Sequence, residues 1–383
     1  MFRRTVKCPR CFERINVQDI GFKCEAPSCH GRSEIFRGKS EIPFLEKIGI
    51  LSAPKKILHK ACGNMATARI CPKCKQEIPT AIDDLSDLSI AIIGAKEAGK
   101  SHYVAMLIHW IKKMGKDFGW NLTALTEETL TRYTLEFHNP LFKYLKPIEI
   151  TKAVRGSVAA SPLIYSLRLD KGLFSKRIML VFFDAAGENL EQTDSLWYIN
   201  RYIYNASGII CLLDPLQIPR VRQGILCTHS KDTLPSLNAE TGIIINRVEN
   251  LIRKNTNIGV AKIKIPLAVA FSKMDYVKDA SANAAAVSAR LLAATRHNGV
   301  FNEAEFTDID GLMRSWVSEV DDTADIIPQS ENFERAGFFG FSALGCNPKG
   351  NHDELRHAPR SFRVEDPFLW ILKNYGLIKT TKG

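Results

Sequence analysis

The chain has 383 residues, 45% of them hydrophobic and 24% charged, which is ordinary for a soluble globular protein with length enough for two domains and a well-buried core. The N-terminal "MFRRTVKCPRCF" carries charge but no apolar run, so no secretory leader is expected, and no window approaches the roughly 18 apolar residues of a spanning helix. The net charge of +11 is uneven: residues 1–80 hold 16 Lys and Arg against 7 Asp and Glu, a surplus of +9, which leaves +2 for the other 303 residues.

Seven of the ten cysteines lie in the first 74 residues, mostly in tight pairs. With no leader, that pattern points to a reduced, cytoplasmic compartment and to metal rather than to disulfides. The pairs are "CPRC" (Cys8, Cys11), "CEAPSCH" (Cys24, Cys29, His30), "HKAC" (His59, Cys62) and "CPKC" (Cys71, Cys74). A C-x-x-C turn aims two sulfurs at one point, and two such knuckles complete a tetrahedral Zn²⁺ site. Taken in chain order, Cys8, Cys11, Cys24 and Cys29 make the first site, and His59, Cys62, Cys71 and Cys74 the second. His30 stands as an alternative to Cys29. Closed four-ligand sites leave no open position, so residues 1–80 read as two structural zinc-ribbon modules, too small to fold without metal. Protein contact or plain support is expected of them ahead of nucleic-acid binding, although basic residues and Phe12, Phe22 and Phe36 are interleaved there.

"PTAIDDLSDL", residues 79–88, loses the cysteines and gains three Asp, and marks the boundary to a second domain running from about 86 to 383. It opens with "SIAIIG", a buried parallel strand. "GAKEAGKS" then matches the phosphate-binding G-x-x-x-x-G-K-[ST]. Gly94, Ala95, Lys96, Glu97, Ala98, Gly99, Lys100, Ser101 and His102 are the expected cradle. Backbone N–H groups and the positive end of the next helix face the phosphates. Lys100 reaches the terminal phosphates and Ser101 is a Mg²⁺ ligand.

"RIMLVFFDAAGE", residues 177–188, is a second core strand ending in D-x-x-G, with Asp184 toward Mg²⁺ and the Gly187 N–H toward the γ-phosphate. "SPLIYSLRL", residues 161–169, has the alternation of an antiparallel edge strand beside it. "ASGIICLLDP" (206–215) and "PLAVAFSKMD" (266–275) are further core strands, the latter ending in S-K-M-D. There Asp275 would accept from guanine N1 and N2, contacts adenine lacks, while Lys273 lies along the base and Ser272 stands where Asn or Thr is usual. "GFFGFSALG", residues 337–345, ends a fifth strand in Ser342, Ala343 and Leu344, whose backbone would back the guanine. Ligands of open α/β sheets sit at such carboxyl ends.

The order GAKEAGKS, loop threonine, DAAG, SKMD and SAL resembles the TRAFAC class of P-loop GTPases. The cysteine pairs ahead of the loop, and the tail "RVEDPFLWILKNYGLI" (363–378), resemble the bacterial double-GTPase group of that class. The resemblance covers nearly the whole chain. It implies a Ras-like doubly wound α/β sheet, mostly parallel with one antiparallel edge strand. It also implies GTP or GDP with Mg²⁺, and a place in bacterial conflict or regulatory systems beside a GTPase-associated protein or effector.

Switch GTPases close a threonine over Mg²⁺, and "EITKAVRGSVAASP" (149–162) offers Thr151. Glu188 stands after D-x-x-G where a water-orienting glutamine is common. A carboxylate is unfavourable near the γ-phosphate, so hydrolysis is expected to be slow or partner-assisted. Arg155 and Arg201 are candidates for an internal arginine finger, with a surface role the more ordinary reading of each. Inserts at about 111–150 and 216–262 read as partly helical, serving partners or extra packing. His102, His109, His138 and His229 lack ligand spacing, and most of them are expected to face solvent. A GTP-binding switch is the leading reading. A non-hydrolysing nucleotide-binding scaffold and a nucleic-acid-associated ATPase are the alternatives.

Overall fold

The run "SDLSIAIIG" forms strand β1 (Ser86–Gly94), with Leu88, Ile90 and Ile92 in one core and Ala91 and Ile93 in the other. A strand covered on both faces requires such an unbroken apolar run. A computed structural model describes residues 5–29, 35–36, 54–95, 97–148, 161–171, 174–183, 197–227, 234, 241–293, 297–346 and 354–381. In it β1 is the centre of a seven-stranded sheet. The others are β2 (Trp120–Ala124), β3 (Leu163–Lys171), β4 (Phe174–Phe182), β5 (Gly208–Leu213), β6 (Leu267–Phe271) and β7 (Ala336–Gly340). The order is β2-β3-β4-β1-β5-β6-β7.

Strands β4, β1, β5, β6 and β7 are mutually parallel, and β3 runs against them, from Leu163 opposite Phe182 to Lys171 opposite Phe174. This is the expected mostly parallel sheet with one opposed strand. The rim itself is β2, contributed by the first insert and antiparallel to β3. Its "WNLTA" alternates for five residues only, between two helical stretches, so its period is easily passed over.

Helices cover both faces. On one side lie α1 (Lys100–Met114), a wide-turned helix over Tyr133–Lys143 that contains Pro140, and α6 (Asp366–Asn374). On the other lie α2 (Trp197–Tyr204), α3 (Thr241–Asn255), α4 (Ala282–Leu292) and α5 (Glu303–Val320). Helix α3, from the second insert, buries Ile244, Ile245, Val248 and Ile252 in the core, so that insert is at least partly packing. The C-terminal segment is tied in by buried Arg363, whose guanidinium meets Asp366 at 3.0 Å and also pairs with Glu305 of α5. The histidines expected in solvent are half-buried instead: His109 stacks on Phe142 at 4.3 Å and His138 lies 5.0 Å from the same ring, because the first insert folds back over α1. His229 lies outside the described residues.

The N-terminal segment forms short hairpins, and one register decides its organisation. Strand Gly21–Lys23 pairs antiparallel with Ala68–Ile70, with Gly21 opposite Ile70 and Lys23 opposite Ala68. Cys24 therefore leaves one end of this ladder and Cys71 the other, roughly 13 Å apart at 3.3 Å per residue. The described residues gather as Cys8, Cys11, Cys71 and Cys74, and as Cys24, Cys29, His59 and Cys62. All eight expected ligands are used, but the chain-order pairing is wrong: the sets are nested, not sequential. Cys29 completes the second set; His30 lies outside the described residues. The first set, with Val6, Phe12, Ile15, Ile20 and Ile78, belongs to the same core as α2–α5, while the second has a small cluster of its own around Phe22 and Ala66.

Candidate functional site

The phosphate loop joins β1 to α1, and its two motif glycines have separate reasons. A Cβ on Gly94 would stand 2.5 Å from the Leu212 carbonyl of β5, and Gly99 has φ +87° with open space around it. The first is a close backbone approach and the second a left-handed turn that glycine adopts without strain. Lys100 folds back over the loop, its ammonium donating to the carbonyls of Gly94 at 3.0 Å and Ala95 at 2.7 Å. That holds its charge against the start of the loop. Glu97 adopts φ 64°, and Ala98 is buried beneath the loop.

His102 in the same turn accepts the Ile148 N–H at Nε2, 3.1 Å away, at the end of the first insert. Burial, with the nearby Lys273 charge, lowers its pKa to about 4, so the ring is neutral and serves as an acceptor. Its ring ties the insert to the loop.

The base-reading candidates converge at the carboxyl ends of β5, β6 and β7. The Ser272 N–H donates to the Leu213 carbonyl at 2.9 Å, and the Met274 N–H to Phe341 at 3.2 Å, so S-K-M-D is strung between the neighbouring strand ends. Lys273 takes a left-handed φ of 55°, and its ammonium meets Asp214 at 2.6 Å. Asp275 receives a hydrogen bond from the Ser342 hydroxyl, which in turn accepts the Gly345 N–H at 2.9 Å. Burial nonetheless raises the Asp275 pKa, with Ser342 acting against that rise. Ala343 and Leu344 follow on the same turn, where the Leu344 carbonyl accepts the Arg360 N–H. Ser272 spends its hydroxyl on the Leu213 carbonyl, 3.3 Å away.

Asp214 is the residue that sequence reasoning missed. It is buried, caps the turn that follows β5 by accepting the Leu216 N–H at 3.0 Å, and pins Lys273. The signal was there in "LLDP", a carboxylate at a strand end before a proline. Of the other candidates, Lys96, Thr151, Asp184, Gly187, Glu188 and Arg155 lie outside the described residues. Arg201, the other finger candidate, pairs with Glu13 of the first cysteine knuckle.

The two cysteine sets fit zinc by their own spacing. A tetrahedron with Zn–S near 2.3 Å has sulfur–sulfur edges of about 3.8 Å. Here Cys8 to Cys74 and Cys11 to Cys71 are both 3.9 Å, and Cys24 to Cys62 is 3.6 Å. His59 turns Nδ1 toward Cys29 at 3.3 Å and Cys62 at 3.1 Å. Hydrogen bonding pushes the thiols of Cys8, through Cys11, and of Cys11, through Cys71, up, and pulls those of Cys71 and Cys74 down through Cys11. A divalent ion would resolve that crowding by taking all four as thiolates.

Residues 88–329 match the family model described as Double-GTPase 2. The chain belongs to the Double-GTPase 2 family. As a member it is a GTP-binding protein with a P-loop GTPase fold. Among curated proteins it is similar to the "Putative ESX-1 scaffolding and assembly protein SaeC" of Mycolicibacterium smegmatis, with 25% identity across 97% of this chain and 100% of that protein. Among solved structures it matches the Arl6 BBS3 small GTPase of Trypanosoma brucei with bound GppNp (14% identity, TM-score 0.27, covering 76% of this chain and 98% of that one). It also matches the G domain of the T. maritima FeoB iron transporter (12% identity, TM-score 0.21, 50% and 76%). Scores this low add nothing to what the sheet order of this Double-GTPase 2 protein already gives. Among the described residues, none of its helices is long and apolar enough to cross a membrane.

Proposed function

We propose that this Double-GTPase 2 protein is a Mg²⁺-dependent guanine-nucleotide switch that hydrolyses GTP slowly or with a partner's help, and that its N-terminal modules hold two structural Zn²⁺. The observation that carries the reading is the meeting of Asp275, Ser342 and Lys273 at the strand ends of the sheet whose β1 leads into the Lys100 loop. In this reading Lys100 and the loop N–H groups hold the phosphates. Ser101, Thr151 and Asp184 hold Mg²⁺, Gly187 senses the γ-phosphate, and Glu188 in place of glutamine slows hydrolysis. The relative named for scaffolding and assembly supports protein partners, and favours a second reading in which the nucleotide is held and not turned over.

Substitution of Asp275 by Asn tests the base. A carboxylate accepts two N–H bonds from guanine, whereas an amide suits the extra oxygen of xanthine. Each charge-assisted bond is worth about 1.5–3 kcal/mol. GTP affinity should fall more than about tenfold while XTP binding rises. Equal losses for GTP, XTP and ATP would sink the guanine reading. A single-turnover assay with the wild type separates switch from scaffold.

A further inference from the structure

The metal set that packs against the GTPase core, Cys8, Cys11, Cys71 and Cys74 (the inner set, with Cys24, Cys29, His59 and Cys62 as the outer), is built from two knuckles with the same backbone. In the first, the Phe12 N–H returns to the Cys8 carbonyl at 2.9 Å and the Arg10 N–H points at the Cys8 sulfur at 3.4 Å. In the second, Lys75 returns to Cys71 at 3.0 Å and Lys73 points at the Cys71 sulfur at 3.4 Å. Each turn closes on a left-handed residue, Phe12 at φ 59° and Lys75 at φ 60°. In the outer set the equivalent position is Gly63, at φ 71°. A bulky residue with positive φ is strained, and persists where its surroundings over-determine it.

The surroundings of the two knuckles differ. Lys73, Lys75 and Gln76 are exposed. Arg10, Phe12 and Glu13 all reach the GTPase sheet and its helices. Arg10 donates to the Ser161 hydroxyl at 2.9 Å and pairs with Glu128 at 2.8 Å, while Glu13 pairs with Arg201 of α2. Phe12, only 1% exposed, sets its ring 4.9 Å from Tyr202 and 6.5 Å from Phe183. The Tyr202 hydroxyl spans two parallel strands, its one proton within reach of the carbonyls of Ile90 in β1 and Val181 in β4, the latter at 3.2 Å. Those strands lead to Gly94 of the phosphate loop and to Phe183, the residue before Asp184.

We propose that Phe12 is a positioning residue that couples metal in the inner site to nucleotide retention: the metal-fixed knuckle holds the ring against Tyr202 and Phe183, and through them sets the spacing of the two strands that carry the phosphate-binding ends. The proposal rests on the nucleotide reading above. Loss of the ion frees the knuckle from its left-handed turn, the ring withdraws, and Tyr202 and Phe183 lose the wedge that holds them against the β1–β4 pair. Linkage is reciprocal, so bound nucleotide tightens the affinity for the inner ion by the same factor by which the ion tightens the affinity for nucleotide.

The test uses the full zinc-loaded chain. Dissociation of fluorescent mant-GDP is followed in Mg²⁺ buffer before and after zinc removal by TPEN, a soft-donor chelator that leaves Mg²⁺ in place. Zinc release is followed with and without saturating GDP. In wild type, zinc removal should speed mant-GDP loss roughly tenfold, and GDP should slow zinc release, both changes expressing one coupling free energy. Lys75→Gly, the same backbone relief in the exposed knuckle, should behave as wild type. Phe12→Gly relaxes the strained turn but deletes the wedge. It should lose mant-GDP fast with zinc in place, and neither rate should then respond to the other ligand. A merely structural Phe12 would lower the melting temperature yet leave the GDP dependence of zinc release intact, and that result overturns the proposal. So do wild-type rates that are independent of zinc. If Phe12→Gly fails to fold, Phe12→Leu should give intermediate coupling, and unchanged coupling there counts against the wedge. Wild type that retains no mant-GDP overturns the nucleotide reading and the coupling with it.

Discussion

Lys273 of the S-K-M-D turn meets Asp214, 59 residues earlier at the end of the adjacent strand, at 2.6 Å. The carboxylate is buried while the lysine is partly exposed, so the ammonium is anchored at the end of β5. A left-handed backbone at Lys273 turns the chain so that Asp275 can meet Ser342 on the other side. The lysine is thereby set in place before any base arrives.

Asp214→Asn should therefore weaken GTP binding about tenfold, the order of one lost charge-assisted contact. An asparagine oxygen can still accept the Leu216 N–H, so the turn after β5 should persist. Isothermal titration, with a melting curve to show the fold intact, checks this. Unchanged affinity would mean that Lys273 needs no anchor.

Lys100→Ala should reduce GTP affinity at least about a hundredfold if, as proposed above, the ammonium binds two or more phosphate oxygens at about 1.5–3 kcal/mol each. The fold should be little changed, because the ammonium bonds to two carbonyls of the loop itself. An affinity within threefold or so of wild type would place the phosphates elsewhere.

The nested zinc sets make opposite predictions from sequential ones. Wild type should carry two zinc ions by elemental analysis. Cys8→Ser with Cys71→Ser should remove one, since both residues serve the same site. Cys8→Ser with Cys24→Ser should remove both. Loss of the inner site should also lower the melting temperature of the whole chain, because Cys8 and Cys71 lie in the core shared with α2–α5. The reverse zinc counts would restore the chain-order pairing.

His102 should impose a pH dependence. Its pKa is 6.5 in a free side chain and about 4 here, lowered first by burial. Between those values the unfolded chain binds more protons than the folded one. Stability from this group is thus complete above about pH 6.5 and declines as pH falls toward 4. His102→Gln retains an acceptor for the Ile148 N–H and should flatten that part of the denaturation profile. An unaltered slope would assign it to other groups.

The sequence by itself determined the local parts: the buried strands, the glycine loop, the strand-end S-K-M-D and S-A-L, and all eight metal-ligand candidates. Each is written in a short run, where apolar period, glycine position or thiol spacing has a direct local meaning. Tertiary structure decided what those parts share. Cys8 joins Cys71 and not Cys24 because an antiparallel register sends Cys24 and Cys71 to opposite ends of one ladder, and no spacing encodes a register between strands 45 residues apart. Lys273 finds Asp214 only once β5 and β6 lie side by side. Phe12 reads as one more aromatic in a basic segment until the knuckle is docked, when its ring fills the space beside Tyr202. Local motifs fix which chemistry is available; long-range packing fixes which groups meet, because contact between distant residues depends on every element that lies between them.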